Sequence, residues 1–377
     1  MNDGARFVFA CILLAGCGTD ATPPARPEVG GRLEVSALLS GGERSDDSRF
    51  ARAETVRAFE FPTDHGPHPA FRSEWWYVTA ALRAADGSRF GVQFTVFRQA
   101  LGAGTASDGW RANQVYMAHA AITDVERATH DEWERIARGR PELAGAIAAP
   151  FAVWLEDWRL ASSSQAFLPL ELIFASRGRT VRLTLSADKP LVLQGESGLS
   201  RKGVGQASYY YSFPRLQAEG TLTSGGRDVP VRGLAWLDRE WSTSVLSSEH
   251  AGWDWFALHL DDGTDLMAFR LRRKDGARDP FDAATWTDAN GRAEALDSKR
   301  FVLSPLRWWT DERGVGWPVA WQLDGERFPT PWRIEAAIDD QRMDTTVEYW
   351  EGLVVVEDAK GREIGEGYME LTGYAAR

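Results

Sequence analysis

Hydrophobic positions recur at every second residue along most of this chain. Phe90, Val92, Phe94 and Val96 alternate with Gln93, Thr95 and Phe97. That period lays one set on each face of an extended strand and would scatter it around a helix. Trp75–Leu82, Val181–Leu185, Val231–Leu237, Trp253–Leu260 and Leu266–Arg273 repeat the pattern. Between such runs stand Asp86-Gly87, Gly225-Gly226, Asp262-Gly263, Asp275-Gly276 and Asn290-Gly291, pairs that supply the positive φ of tight hairpins. The clearest hairpin joins Trp253–Leu260 to Leu266–Arg273. Helix signals are few. Pro141 can open a short helix running through Ala149, because Pro is tolerated at a first helical position.

Many short strands with turn punctuation predict an all-β chain, antiparallel, in sandwiches or barrels. The folded length is generous for one barrel. Two β domains are expected, residues 58–243 and 244–377, with the break near Trp241–His250. Ahead of them, residues 17–57 are rich in Pro, Gly, Ser and charge and read as a flexible tether. Arg6 and the apolar run Phe7–Ala15 come first. That run is too short for a bilayer, which takes roughly 20 residues, but suits the h-region of a secretory signal. Leu14-Ala15-Gly16-Cys17 has the pattern of a bacterial lipobox. Residues 1–16 are therefore expected to be a signal peptide, with lipid on Cys17 tethering the chain to the periplasmic side of a membrane. Gly18, in place of Asp, favours the outer membrane in a cell that has two.

Composition narrows the function. Of two cysteines, Cys11 leaves with the signal, so the mature chain has no internal disulfide and its core must suffice. A formal net charge of −11 disfavours nucleic-acid binding, which needs a basic stripe. Seventeen tryptophans are several-fold above ordinary usage. Trp brings a large apolar area and one N–H donor, so these residues either fill β cores or wall a pocket for an apolar or ring-bearing ligand.

Polar and aromatic residues coincide in four blocks. In Phe61–Pro69, His65 and His68 lack the companions of a metal site and read as loop hydrogen-bonders. Glu74 follows closely and, if turned inward, needs a cation such as Arg98. In Tyr116–Ile122, His119 is either a satisfied core histidine or a site residue. Gly195–Gly203 is rich in glycine and carries Arg201-Lys202, but lacks P-loop spacing; beyond it Tyr209 and Tyr211 share a strand face. The richest block is Trp236–Ser242 with Gly252–Phe256. There Asp238 and Glu240 face one way, and Arg239 and Trp241 the other. A carboxyl among Trp side chains has a raised pKa and can act as a general acid. No Gly-x-Ser-x-Gly elbow, His-Glu-x-x-His motif or mature Cys nucleophile is present, and no cofactor or metal is expected.

These blocks, with Asp64–His68, Glu74–Tyr77, Phe94–Arg98, Gly198–Gly203, Ser208–Tyr211, Asp238–Ser242, Gly252–Trp255, Tyr349–Gly352 and Gly367–Tyr374 in order, resemble the lipocalin-like AttH / carotenoid 1,2-hydratase (CrtC) family, nearer its secreted AttH branch. The resemblance runs from about Phe61 to Tyr374. It implies two packed lipocalin-like β-barrels, an apolar-ligand cavity near their junction, and an association of some members with ABC-type export systems. In the carotenoid hydratases the block matching Asp238-Arg239-Glu240-Trp241 is Asp-His-Asn-Trp. Arg239 stands where that histidine would be, and a guanidinium does not shuttle protons near neutral pH.

Two functions are expected from this reading. One is a membrane-tethered carrier of an isoprenoid or lipid-like ligand, serving an ABC-type exporter. Its ligand-binding residues would be Glu74, Trp76, Arg98, His119, Tyr211, Arg239, Trp241, Trp253 and Trp255. The other is a hydratase or cyclase acting on a polyene, with Asp238, Glu240 or Asp254 as acid. A carbohydrate binder ranks third, and would leave its Trp rings flat on the surface.

Overall fold

In a computed structural model of the chain, which describes residues 49–103, 113–244 and 246–374, the period-two segments pair into two antiparallel sheets. The first comprises β1 (Ser73–Ala84), β2 (Arg89–Ala100), β3 (Gln114–Asp124), β4 (Thr129–Arg138), β5 (Ala144–Ala148), β6 (Phe151–Leu155), β7 (Trp158–Ser162), β8 (Leu170–Ser176), β9 (Arg179–Ala187), β10 (Val192–Leu193), β11 (Leu199–Gly203), β12 (Gln206–Ser224) and β13 (Arg227–Ser244). The second comprises β14 (His250–Leu260), β15 (Asp265–Arg273), β16 (Ala283–Thr287), β17 (Ala293–Asp297), β18 (Phe301–Thr310), β19 (Gly316–Gly325), β20 (Trp332–Ala336), β21 (Arg342–Asp344), β22 (Glu348–Glu357) and β23 (Glu363–Thr372). The first sheet, ordered β4-β3-β2-β1-β13-β12-β9-β8-β7-β6-β5, curls into a near-barrel; the second, ordered β17-β16-β15-β14-β23-β22-β20-β19-β18, into a half-barrel. Cys17 and residues 1–48 lie outside the described residues.

The hairpin around Asp262-Gly263 forms as expected, with Leu258 opposite Leu266. Gly263 has φ +86°. Two expectations fail. The predicted helix from Pro141 is instead a turn followed by β5, paired with β6. Ala144 is buried and Gly145 lies flat beneath the Trp154 ring, where a Cβ would sit 2.7 Å from the ring; the local pattern is period two, and Pro141 only ends the preceding strand. The last part of the predicted tether also packs. Phe50 and Ala53 are buried, and Arg57 pairs with Asp64 at 2.7 Å.

Where the sheets meet, strands such as β1 and β14 bury both faces. On β1, Trp76, Val78, Ala80 and Leu82 enter the near-barrel core, while Tyr77 and Ala81 join a separate cluster between the sheets. On β14, Phe256, Leu258 and Leu260 fill the half-barrel, while Trp255 and Ala257 face back toward the first sheet. The sheets approach closely at Gly91, where a Cβ would meet the Tyr368 hydroxyl and lie 3.1 Å from Leu353 Cβ. A shared charge cluster reinforces the contact: Lys189 Nζ donates to Asp265 Oδ2 at 2.7 Å, and Arg215 Nε to Asp265 Oδ1 at 3.0 Å.

Candidate active site at the junction of the sheets

Strand alternation sorts the polar candidates onto opposite faces. Register places Tyr77 opposite Asp238 and Trp75 opposite Glu240, all four directed at the second sheet. Their neighbours Glu74, Trp76, Arg239 and Trp241 point into the near-barrel. Two rows therefore cross the first sheet on the junction side. One is His119–Thr95–Tyr77–Asp238–Ser212; the other is Met117–Phe97–Trp75–Glu240–Tyr210. The second sheet opposes them with Phe269–Trp255–Glu370–Glu351, and one pleat away with Leu271, Trp253 and Tyr349. Together with Lys202, Leu246 and Val347 these side chains enclose a narrow cleft with about 70 Å³ of water-accessible space.

Four carboxyl groups enter this apolar, aromatic space. Asp238 accepts hydrogen bonds from the Tyr210 hydroxyl (2.5 Å), the Ser212 hydroxyl (2.5 Å) and Trp236 Nε1 (2.6 Å). Burial raises its pKa, the three donors oppose that, and nearby Glu240 adds to it, leaving Asp238 at about 7. Glu240 differs: it accepts from Lys202 Nζ at 2.6 Å and from the Ser208 hydroxyl. Glu370 accepts from Trp253 Nε1 at 3.0 Å. Its pKa is pushed up to about 8, first by burial and then, against that hydrogen bond, by Asp238 and Glu240. Glu351 stands directly across from Glu370. It is fully buried, and the Tyr77 and Tyr349 hydroxyls face it outside full hydrogen-bond geometry. Burial, then the Glu370 charge, hold it well above the usual carboxylate range, and the two hydroxyls lower its pKa only in part. Two carboxylates facing each other this way resist ionising together.

Aromatic hydroxyls surround the acids. The Tyr77 hydroxyl is buried and faces Glu351. Tyr349 Oη lies 2.8 Å from His119 Nδ1, and His119 Nε2 lies 3.0 Å from Glu134 Oε2. A cleft of this kind can hold an apolar substrate, keep carboxylic acids protonated near neutral pH, and present ring faces to a developing cation.

Of the residues expected from sequence, the cleft gathers Asp238, Glu240, His119, Trp253 and Trp255. It does not gather Glu74, Trp76, Arg98, Tyr211, Arg239 or Trp241. These face the near-barrel interior, on the opposite side of the sheet, where they pair and stack with one another. Glu74, fully buried, is held by Arg98 and Arg239, and accepts from the His68 backbone N–H at 2.9 Å. Burial raises Glu74, but the two guanidinium groups outweigh it and hold its pKa far below the usual range. The Arg239 guanidinium lies 4.0 Å from the Trp76 ring centre, and His68 stacks on Trp241 at 3.7 Å. Tyr211 Oη is 2.7 Å from His65 Nδ1. Since Arg239 faces away from the cleft, its inability to shuttle protons does not bear on chemistry there. Asp254 is likewise turned from the cleft, into the half-barrel, and is bound by Arg270 Nε (2.9 Å) and the Tyr374 hydroxyl (2.8 Å). Among the described tryptophans only Trp308 is largely exposed, and most of the others are buried or half-buried.

Sequence reasoning passed over Tyr77, Lys202, Tyr210, Tyr349, Glu351 and Glu370. Glu351 and Glu370 each interrupt a hydrophobic alternation, Tyr349–Val356 and Gly367–Leu371, and that was the available signal. Lys202 belongs to the glycine-rich segment set aside as a poor phosphate loop; it lies on β11 and reaches Glu240.

The sequence profile of the AttH-like family matches residues 52–374. The chain belongs to this family. A crystal structure of an AttH protein from Nitrosomonas europaea is 37% identical, covers 86% of this chain and 100% of its own, and superposes with a TM-score of 0.77. Kievitone hydratase from Nectria haematococca has the same fold, with a TM-score of 0.65 at 17% identity over 88% of this chain and 97% of its own. By sequence, kievitone hydratase from Fusarium solani subsp. phaseoli is 21% identical over 196 residues, covering 50% of this chain and 55% of that protein. Dehydratase asqC from Emericella nidulans is 24% identical over 171 residues, covering 43% and 47%. The chain thus spans about half the length of these two curated relatives. The two curled sheets match the AttH lipocalin-like fold.

Proposed function

We propose that this protein is an acid–base enzyme that adds water to, or removes it from, a carbon–carbon bond of an apolar substrate held in the junction cleft. The observation that carries this reading is the gathering of Asp238, Glu351 and Glu370, all with raised pKa values, in one aromatic cleft. The carboxyl groups stand on the two opposing sheets, Asp238 on one and Glu351 with Glu370 on the other, so that an acid and a base can act from opposite sides of a substrate. In hydration, the Glu351–Glu370 pair gives a proton to one alkene carbon, and the π electrons form the new C–H bond. The cation left on the neighbouring carbon faces the Trp75 and Trp255 rings. A water oxygen bonds to that carbon, and its proton passes to the Asp238 carboxylate, directly or through Tyr210. The product gains H and OH, the pair is one proton short, and Asp238 holds one more. Dehydration is the reverse. The hydratase and dehydratase names of the relatives support this class of reaction.

A second reading, an apolar-ligand carrier tethered through Cys17 and serving a membrane exporter, is supported by the apolar cleft walls. Turnover separates the two. Purified protein is incubated in oxygen-18 water with a panel of prenylated alkenes and the matching tertiary alcohols, and label uptake is read by mass spectrometry. Asp238→Asn and Glu370→Gln are each expected to lower turnover about a hundredfold or more, while substrates still quench Trp fluorescence. Quenching without turnover in the wild type supports the carrier; unchanged turnover in both variants overturns the acid–base assignment.

A further inference from the structure

The proposed reaction leaves the Glu351–Glu370 pair short of a proton after each turnover, with a product filling the cleft. Glu351 faces Glu370 and the Tyr77 and Tyr349 hydroxyls, and Tyr349 is the one of these that continues outward. A path reaches Glu351 from the opposite side of β3. Glu134, on β4, lines a polar, solvent-open groove with Arg135, Trp158, Arg177, Asp344 and Thr346, and its side chain is 18% exposed. Glu134 Oε2 is 3.0 Å from His119 Nε2. His119 is fully buried and lines the cleft. Its other nitrogen is 2.8 Å from Tyr349 Oη. Tyr349 and Glu351 stand two residues apart on the same face of β22, both lining the cleft.

We propose that Glu134, His119 and Tyr349 form a proton path from the outer groove to Glu351, and so recharge the acid of the proposed hydratase reaction. An imidazole suits this position because it takes a proton on one nitrogen and releases one from the other. With His119 Nδ1–H donating to Tyr349, the Tyr349 hydroxyl proton moves to the Glu351 carboxylate. The Nδ1 proton replaces it on Tyr349, and Nε2 takes a proton that the Glu134 carboxylate relays from water in the groove. Burial raises Glu134, but the His119 and Thr346 hydrogen bonds outweigh it and hold its pKa below the ordinary value. Only O–H and N–H bonds change, and no oxidant or reductant is needed. The groups facing His119 are Glu134 from β4, Tyr349 from β22, Thr95 from β2, and the edge of Phe97 at 5.6 Å. Glu134 is itself positioned from the second sheet by the Thr346 hydroxyl at 2.6 Å and the Thr346 backbone N–H at 3.1 Å.

The same contacts would exist if the three residues only bolted the sheets together, so the test must read proton movement. It uses the full chain without substrate. The infrared carbonyl band of the protonated pair is assigned by its loss in Glu351→Gln and Glu370→Gln, and its shift is followed after transfer into D₂O. Glu134→Gln keeps the hydrogen bonds but cannot pass a proton, and His119→Phe removes the imidazole. Both are expected to slow deuteration of the band by about a hundredfold, the lower end of what a positioned proton donor contributes. Added imidazole should restore the rate in His119→Gly. Deuteration at the wild-type rate in Glu134→Gln and His119→Phe overturns the path, whatever their effect on unfolding midpoint. If exchange depends on His119 but no water is added to any substrate, the path stands and the hydratase reading falls. If turnover depends on Asp238 and Glu370 while exchange ignores His119, the reverse holds.

Discussion

Asp238→Asn tests the electrostatics of the cleft without any knowledge of the substrate. Unfolded, Asp238 would titrate near 3.8; folded, it titrates at about 7. Below the first value both states carry the proton, and the group contributes nothing to pH dependence. Between the two values the unfolded chain releases the proton and the folded one keeps it, so stability falls as pH rises. Above about 7 the cost is constant. The gap is about 3 pK units, and at 1.36 kcal/mol each the fold loses about 4 kcal/mol through this one group between pH 4 and 7. Asparagine has no such loss. It is near the size of the protonated acid, and its amide can reorganise among Tyr210, Ser212 and Trp236. The stability of Asp238→Asn relative to wild type is therefore expected to climb by up to about 4 kcal/mol from pH 4 to 7 and then level off. Urea unfolding at half-unit pH steps measures the difference; distant titrating groups cancel between the two proteins, and Glu370, which feels the Asp238 charge, is removed from the comparison by repeating it in a Glu370→Gln background. A difference that stays flat would mean that the three donors hold Asp238 as an ordinary carboxylate, and its role as a base tuned near neutrality would be lost.

Two further outcomes test the packing that positions the cleft. Glu74→Ala leaves Arg98 and Arg239 buried without their counter-charge, and is expected to cost about 3–5 kcal/mol by urea unfolding; a loss below about 1 kcal/mol would show that the cluster is hydrated. Gly91→Ala drives a methyl group against Tyr368 and Leu353 and is expected to cost about 1–3 kcal/mol, with Tyr368→Phe restoring part of it; a neutral Gly91→Ala would mean that the sheets are not in close contact there.

Much of the fold was legible because antiparallel strands announce themselves locally. The alternation in Phe90–Phe97 and the Asp-Gly and Asn-Gly turns each depend on a few adjacent residues, and they match β2 and its hairpin neighbours. Face assignment along one strand was legible too: Asp238 and Glu240 do oppose Arg239 and Trp241. What could not be read was which face holds the ligand space. The usual guide, apolar inside and polar outside, fails on β1 and β13, because both faces are buried and both carry charge. Trp76 and Trp241 look as suitable for a pocket wall as Trp75 and Trp255, and only the docking of the second sheet distinguishes them. The Glu351–Glu370 pair was less legible still. Each residue alone is one carboxylate in a strand. Their opposition exists only once the register of β22 against β23 is set, and their raised pKa only once the first sheet covers them.

That dependence explains why the carboxyl groups with raised pKa gather at the junction of the sheets. The near-barrel interior is occupied: Phe94, Trp158 and Phe174 pack ring against ring, and the Glu74 cluster closes one end. An outer sheet face is normally wet, and a carboxyl group on it keeps an ordinary pKa. Here each sheet supplies the other with a roof. The first contributes Asp238, Tyr210, and Glu240 with Lys202; the second contributes Glu351, Glu370 and Trp253. Desolvation raises the acids only while both are in place. A shift that separated the sheets at Gly91 would hydrate Asp238, Glu351 and Glu370 together and ionise them near neutral pH. The acid strength of the cleft is thus a property of the interface, and substitutions at the sheet contact should change it without touching any carboxyl group.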